Sequence, residues 1–243
     1  MLTLLDEQYA PITKRIGFLR VPLDVAAEGL AAWRHELHGK AAAEPVDGDL
    51  PSALRTLEPL TLTVRPRELL VATRSDWTAY FDCGANGSDP ISAVGYLSRR
   101  LKCSGLAICS APHTLGTGLE VGGRYGAVQF ELFGPEWTDF INYVRTVSVA
   151  HDGDSRWRFD AAGQVQEFED VERYALRRVR DRFTSEMLAS YCAALGIRPF
   201  DPDFYAGPGV LVTSPAPDAP ELTLQDAQER LGIKPGVAAQ IPG

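Results

Sequence analysis

The chain of 243 residues carries 32 acidic against 24 basic residues, a formal net charge of −8, and is 45% hydrophobic and 23% charged. That length can bury a sizeable core as one large domain or two small ones. The acidic balance argues against nucleic acid as a principal ligand, because phosphate binding requires a positive field, and no run approaches the roughly 20 apolar residues needed to cross a bilayer.

The N-terminal stretch MLTLLDEQYAPITKR has no basic segment followed by an apolar one, so it does not read as a signal peptide and a cytoplasmic location is expected. Cys83, Cys103, Cys109 and Cys192 include no C-x-x-C pair. They are expected to be reduced thiols, mostly buried as small apolar groups.

In chain order, Ile16 to Val21 predicts a first strand stopped by Pro22. Asp24 can cap a helix whose Ala26, Leu30, Trp33 and Leu37 form one apolar stripe, with Gly39 in the terminating position. His35 and His38 stand three apart near its end, a spacing metal sites use, but no third ligand accompanies them and no metal site is expected. Lys40 to Pro51 has no periodicity and reads as a surface loop. Leu60, Leu62 and Val64 suggest a short strand.

The clearest periodicities run from Arg67 to Phe133. Glu68 to Thr73 and Trp77 to Cys83 predict antiparallel neighbours joined by a short loop, the second half-buried because Trp77, Ala79, Phe81 and Cys83 alternate with Thr78, Tyr80 and Asp82. Gly84 to Pro90 then makes a turn. Ser88 or Asp89 can cap a helix over 90–102 with Ile91, Val94, Leu97 and Leu101 on its inner face. Leu106 to Ala111 is apolar on both faces, a strand covered on both sides. Gly116, Gly118, Gly122 and Gly123 mark a mobile loop, and Arg124 to Phe133 returns to alternation with a wet side.

Phe140 to Val149, the Asp152-Gly153 hairpin signal, Trp157 with Phe159, and Gln164 to Glu169 read as an antiparallel meander. Asp170 to Leu195 turns helical, with an interruption near Phe183, a second cap at Thr184 and a stop at Gly196. Val210 to Thr213 is a short strand, Ser214 to Pro220 a Pro-rich linker and Thr223 to Leu231 a small helix ahead of a loosely held tail. The order of elements predicts an α+β fold, a mainly antiparallel, twisted sheet of about seven or more strands packed by about three helices. Residues 1–213 are expected to form one domain and 214–243 a linker with a short helix.

Three groups of residues invite a chemical reading. Asp76, Asp82 and Asp89 with Asn86 lie where a strand gives way to a helix and could hold a metal or act as acid and base, although turn chemistry alone explains Asp76, Asn86 and Asp89. His113 could be a general base beside Ser110 or Cys109, but no G-x-S-x-G motif accompanies it. Arg173, Arg177, Arg178, Arg180 and Arg182 form a basic cluster in which Arg178 and Arg182 would share a helix face, with Glu172, Asp181 and Glu186 close enough to neutralise much of it. Gly116 to Gly123 lacks the strand, spacing and Lys of a phosphate loop, and no cofactor is expected.

The segment TAYFDCGANGSDP, the PHT that follows a strand, QFELFGPE and the meander together resemble bacterial immunity proteins of polymorphic toxin systems, over about residues 67–196. The resemblance implies a cytoplasmic protein that binds and blocks a cognate toxin, and no family residue maps onto this chain. The acidic charge is compatible with a basic toxin partner. Tyr80, Asp82, Asn86, Asp89 and His113 are the expected contact residues, and Trp137 or Tyr205 could be exposed anchors. The rival readings are a small-molecule hydrolase using the Asp82–Asp89 loop with His113, and a structural oligomer.

Overall fold

A computed structural model describes residues 1–115, 123–154 and 156–236. Among them, nine strands form one antiparallel sheet: β1 (Arg15–Leu19), β2 (Ala42–Val46), β4 (Arg67–Ala72), β5 (Thr78–Asp82), β6 (Gly105–Ala111), β7 (Ala127–Phe133), β8 (Tyr143–His151), β9 (Trp157–Gly163) and β10 (Gly209–Thr213). The strands lie in the order β2-β10-β4-β5-β1-β6-β7-β8-β9. β3 (Leu60–Thr61) pairs separately with β11 (Glu221–Leu222). The α+β class follows from the arrangement, with helices packed on both faces of an antiparallel sheet.

Each strand sends alternate residues into one of two cores. On the first face Ile16, Phe18, Leu69, Phe81, Ile108, Phe130 and Val147 pack against α2 (Leu50–Arg55), α4 (Ser185–Ala194) and the N-terminal turns around Leu4 and Ile12. α5 (Leu224–Arg230) joins them through Ala227, so the C-terminal helix docks on the main core. On the second face Leu70, Tyr80, Ala107 and Phe133 pack against α1 (Leu23–His38) and α3 (Pro90–Arg100). β5 is buried on both sides for this reason, not half-buried as its alternation predicts. Its polar residues are satisfied within the fold: the Thr78 hydroxyl donates to the Val21 carbonyl (2.8 Å) and the Tyr80 phenol to Glu68 (2.6 Å).

α3 sits unusually deep because two neighbouring strands present glycine to it. A Cβ on Gly17 of β1 would lie 2.7 Å from Val94, and one on Gly105 of β6 would lie 2.5 Å from the other methyl of the same valine. α1 ends as predicted at Gly39, whose φ of +73° is the left-handed stop. Its N-cap is Pro22, however, with Asp24 in the first turn. α4 begins at Thr184, whose hydroxyl accepts the Met187 N–H, and closes before Gly196 at φ +79°.

Three further expectations are corrected. Gln164 to Glu169 adds no strand to the meander, because β9 ends at Gly163 and the chain beyond it is drawn inward by the pairing of Glu169 with Arg145. Within Lys40 to Pro51 lies an edge strand, β2, together with the start of α2, which Asp49 caps by accepting the Ser52 N–H (2.9 Å). β2 shows no alternation because it is largely solvated, and pairing with β10 makes it a strand. The helix expected from Asp170 is confined to α4. Ahead of it are two short 3-10 turns, Val171–Ala175 and Val179–Asp181, separated by extended backbone at Leu176. A buried network overrides the helical pattern: Arg145 pairs with Glu169 through two hydrogen bonds (2.9 and 2.7 Å), and the Tyr174 hydroxyl donates to Glu169 (2.8 Å) beside Tyr191 (2.9 Å). Arg178 and Arg182 therefore share no helix face. The glycine loop expected at Gly116, Gly118 and Gly122 and the tail beyond 236 lie outside the described residues. No helix among the described residues is long and apolar enough to cross a membrane, and all four cysteines are buried free thiols.

The depth of α3 is testable. Gly105→Ala should cost about 1–3 kcal/mol through overpacking against Val94, and adding Val94→Ala should recover part of that loss in urea denaturation. A double variant no more stable than Gly105→Ala would disprove the close contact.

Candidate functional site

The turn from β5 to α3 was the first candidate, and its polar groups are turned inward. Asp82 is 0% exposed. Its Oδ1 accepts the Gly84 N–H (2.9 Å), its Oδ2 accepts the Asp89 N–H (2.7 Å), and Arg65 Nε lies 3.1 Å away. The Ser88 hydroxyl accepts the Asp82 N–H (3.0 Å) and faces the Ile12 carbonyl (3.0 Å), locking the loop to the N-terminal turn. Gly84 admits no side chain, since a Cβ would meet the Gly87 carbonyl at 2.3 Å. Asp89 occupies the N-cap position of α3 but makes no side-chain cap; Pro90 starts the helix and the Asp89 backbone N–H serves the Asp82 carboxyl instead.

The predicted contact residues thus separate. Tyr80 is 1% exposed, held by Glu68, which also receives two hydrogen bonds from Arg34 (2.5 and 2.7 Å). Buried side chains offer a partner no surface, so of the loop residues only Asn86 and Asp89 are exposed. Asp76 is paired with Arg20 at the opposite end of β5 (2.6 Å). By register, Asp82 lies level with Arg15 and hence with Cys109. His113 lies beyond Cys109, on the order of 16 Å from Asp82 at about 4.8 Å per strand and about 3.3 Å per residue. Nor does His113 meet a free nucleophile. The Ser110 hydroxyl donates to the Leu2 carbonyl (2.5 Å), and Cys109 faces Arg15 on the other side of the sheet. Among the described residues no group of three or more His, Cys, Asp or Glu could hold a metal ion.

Burial pushes the Asp82 carboxyl up to about 7, opposed by Arg65 and by the Asp89 and Gly84 N–H groups. The folded state holds a proton that the unfolded chain, with a value near 3.8, has released. This contribution to stability is full below about pH 4 and is lost as pH rises through about 7. Asp82→Asn should remove that slope from the pH dependence of the unfolding midpoint. It should also cost about 1–3 kcal/mol, because the amide turns N–H toward N–H at Asp89. Asp89→Ala should leave stability within about 0.5 kcal/mol. Parallel denaturation series would refute the clamp if the two variants behaved alike.

A different surface carries the two most exposed aromatic side chains among the described residues. The β7–β8 connection, 134–142, holds Trp137 at 69% exposed, Phe140 at 66% and Ile141 at 47%. The loop is pinned rather than loose. Asn142 is fully buried and its amide nitrogen lies 2.8, 2.9 and 3.0 Å from the Gly134 carbonyl, the Ser98 hydroxyl and the Gly95 carbonyl. The Thr138 N–H donates to the Ile141 carbonyl (2.7 Å), and Ile141 is held at φ +57°, a costly conformation for a β-branched residue. Trp137 packs on Arg99 (3.9 Å), and Phe140 stacks on Tyr143 (5.2 Å).

Around Tyr143 stand the carboxyls of Glu131 and Asp89, with the Arg15 guanidinium close enough to act on both. The Tyr143 phenol donates to Glu131 (3.1 Å), and both groups feel the charge of Asp89. Burial raises the Glu131 carboxyl, with Tyr143 and Arg15 opposing and Asp89 reinforcing. Asp89 is near enough to Tyr143 and Glu131 for its charge to act on both, a proximity that no local sequence pattern announces. Trp137, expected to be exposed, is so. Tyr205 is buried, its hydroxyl donating to the Pro199 carbonyl (2.7 Å). No protein-family model, curated protein or solved structure matches the chain.

Proposed function

We propose that the protein is a stoichiometric binder that captures a basic protein on the face formed by Trp137, Phe140, Ile141, Tyr143, Glu131 and Asp89. The toxin-neutralising role implied by the immunity-protein resemblance is the specific form of this reading. The observation that carries it is the exposed aromatic cluster on a loop fixed by the buried Asn142. Large aromatic side chains held rigidly in water gain much on burial and lose little freedom, which is the property of interface anchors. Beside them Asp89 and Glu131 supply negative charge, and the net charge of −8 favours encounter with a cationic partner. The hydrolase reading is weaker, because His113 and the Asp82–Asp89 loop occupy separate places and neither has a free nucleophile beside it.

Co-expression with the product of an adjacent gene, followed by surface-immobilised binding kinetics, tests this. Phe140→Ala or Trp137→Ala should speed dissociation by about 30-fold, equivalent to about 2 kcal/mol, with an unchanged melting temperature. Asp89→Lys should instead slow association and flatten its salt dependence. Unaltered binding in all three variants, or no co-purifying partner together with turnover of a small substrate, would sink the proposal.

A further inference from the structure

On the opposite side of the sheet from that face, a cavity of about 430 Å³ opens between the far corner of the sheet and the segment leading into α4. Its size is that of a small-molecule site. The floor is apolar, built from Val128 of β7, Val149 of β8, Trp157 of β9 and Phe183. Over it stand Arg178 and Arg180, delivered by the 3-10 turn that replaces the expected helix. The Arg180 guanidinium lies 5.6 Å from the Trp157 ring centre, and His113 meets the same ring edge-on at 5.5 Å.

The charges in the rim are unequally satisfied. Among the described residues neither Arg178 nor Arg180 forms a salt bridge, whereas Arg182 is committed to the Leu176 carbonyl (2.7 Å). Glu186 also lines the cavity. Against the cost of burial, its own N–H, the Thr184 and Ser185 hydroxyls and the charge of the Met1 amine, which also lines the cavity, hold its carboxyl below the usual range. Asp181 is the remaining acid in the lining, set against two guanidinium groups and the positive end of α4. His113 accepts the Gly126 N–H at Nδ1 (3.2 Å), which places the proton of the neutral ring on Nε2 as a further donor. An apolar floor under two guanidinium groups that have no carboxylate partner among the described residues, one of them resting over the Trp157 ring, is complementary to a ligand with a flat apolar body and one planar anionic group.

We infer that this cavity is a binding site for a small aryl carboxylate, with its ring on Trp157 and the valine floor and its carboxylate on Arg178 and Arg180. The site is independent of the protein-binding face.

Calorimetric titration of the full chain with phenylacetate, phenylacetamide and acetate tests it. Phenylacetate should bind saturably at one site, the neutral amide about tenfold more weakly, and acetate not measurably over the same range. The double variant Arg178→Gln, Arg180→Gln changes residues at the rim of the cavity and should abolish the preference for acid over amide. Trp157→Leu should weaken both aromatic probes by a similar factor. Equal affinity of the wild-type chain for acid and amide, a preference that survives in the double variant, or no saturable binding up to ~10 mM would each overturn the assignment.

Discussion

The close approach of α3 to the sheet is the constraint on which the β5–α3 turn and the β7–β8 loop depend. Because Gly17 and Gly105 present bare backbone to the two methyl groups of Val94, the helix lies against the centre of the sheet instead of riding on side chains. Two consequences follow from that depth. At the start of α3, the loop from Asp82 must close tightly, and the Asp82 carboxyl satisfies the N–H groups that the closure leaves behind. Further along, the Gly95 carbonyl and Ser98 hydroxyl come within reach of Asn142, which sets the β7–β8 loop and its aromatic residues. A single close contact thus bears on both the Asp82–Asp89 turn and the aromatic β7–β8 loop.

Buried charge is used throughout as a local fastener. Arg34 with Glu68 and Tyr80 ties α1 to β4 and β5, and Arg145 with Glu169 and Tyr174 ties the chain after β9 to β8 and α4. Such pairs repay their desolvation only with good geometry and additional hydrogen bonds, and each has both. Their contribution is placement: the second network directs the chain into the turn that carries Arg178 and Arg180, which a continuous helix would have spread around its surface.

The elements legible in the sequence are those whose own side chains decide them. α3 and most of the meander declare themselves by periodicity and α4 by its Thr184 cap and Gly196 stop, while the span expected as a last small helix, Thr223 to Leu231, is α5, closed at its start by a Thr223–Asp226 capping box. β2 was illegible because only β10 makes it a strand, and the 3-10 turns before α4 because Glu169 and Tyr174 answer to residues on other elements. The same distinction governs the candidate sites. Asp82 and Tyr80 looked available because a carboxylate and a phenol on an alternating strand resemble a wet face, and nothing local reveals that Ser88, Arg34 and Glu68 enclose or pair them. Conversely, Trp137 and Tyr205 look alike as exposed aromatics in the sequence, and only packing separates them: Trp137 lies over Arg99 on the surface, whereas Tyr205 is enclosed beside Phe18, Phe81 and Phe204.

The position of β10 has a consequence for how the chain is made. This strand, residues 209–213, is inserted between β2 and β4, which come from the first third of the sequence. During synthesis β4 exposes an unpaired edge and β2 has no partner in the sheet until β10, about 160 residues after β2 (Val46 to Gly209), has emerged, so the sheet cannot be completed from its N-terminal strands alone. Pairings of such large sequence separation are slow to form and leave edges open to wrong partners in the interval. The chain meets that interval with a proline and a glutamate, Glu44-Pro45, in the strand that waits longest, a composition that discourages addition of a stray strand before the correct one arrives.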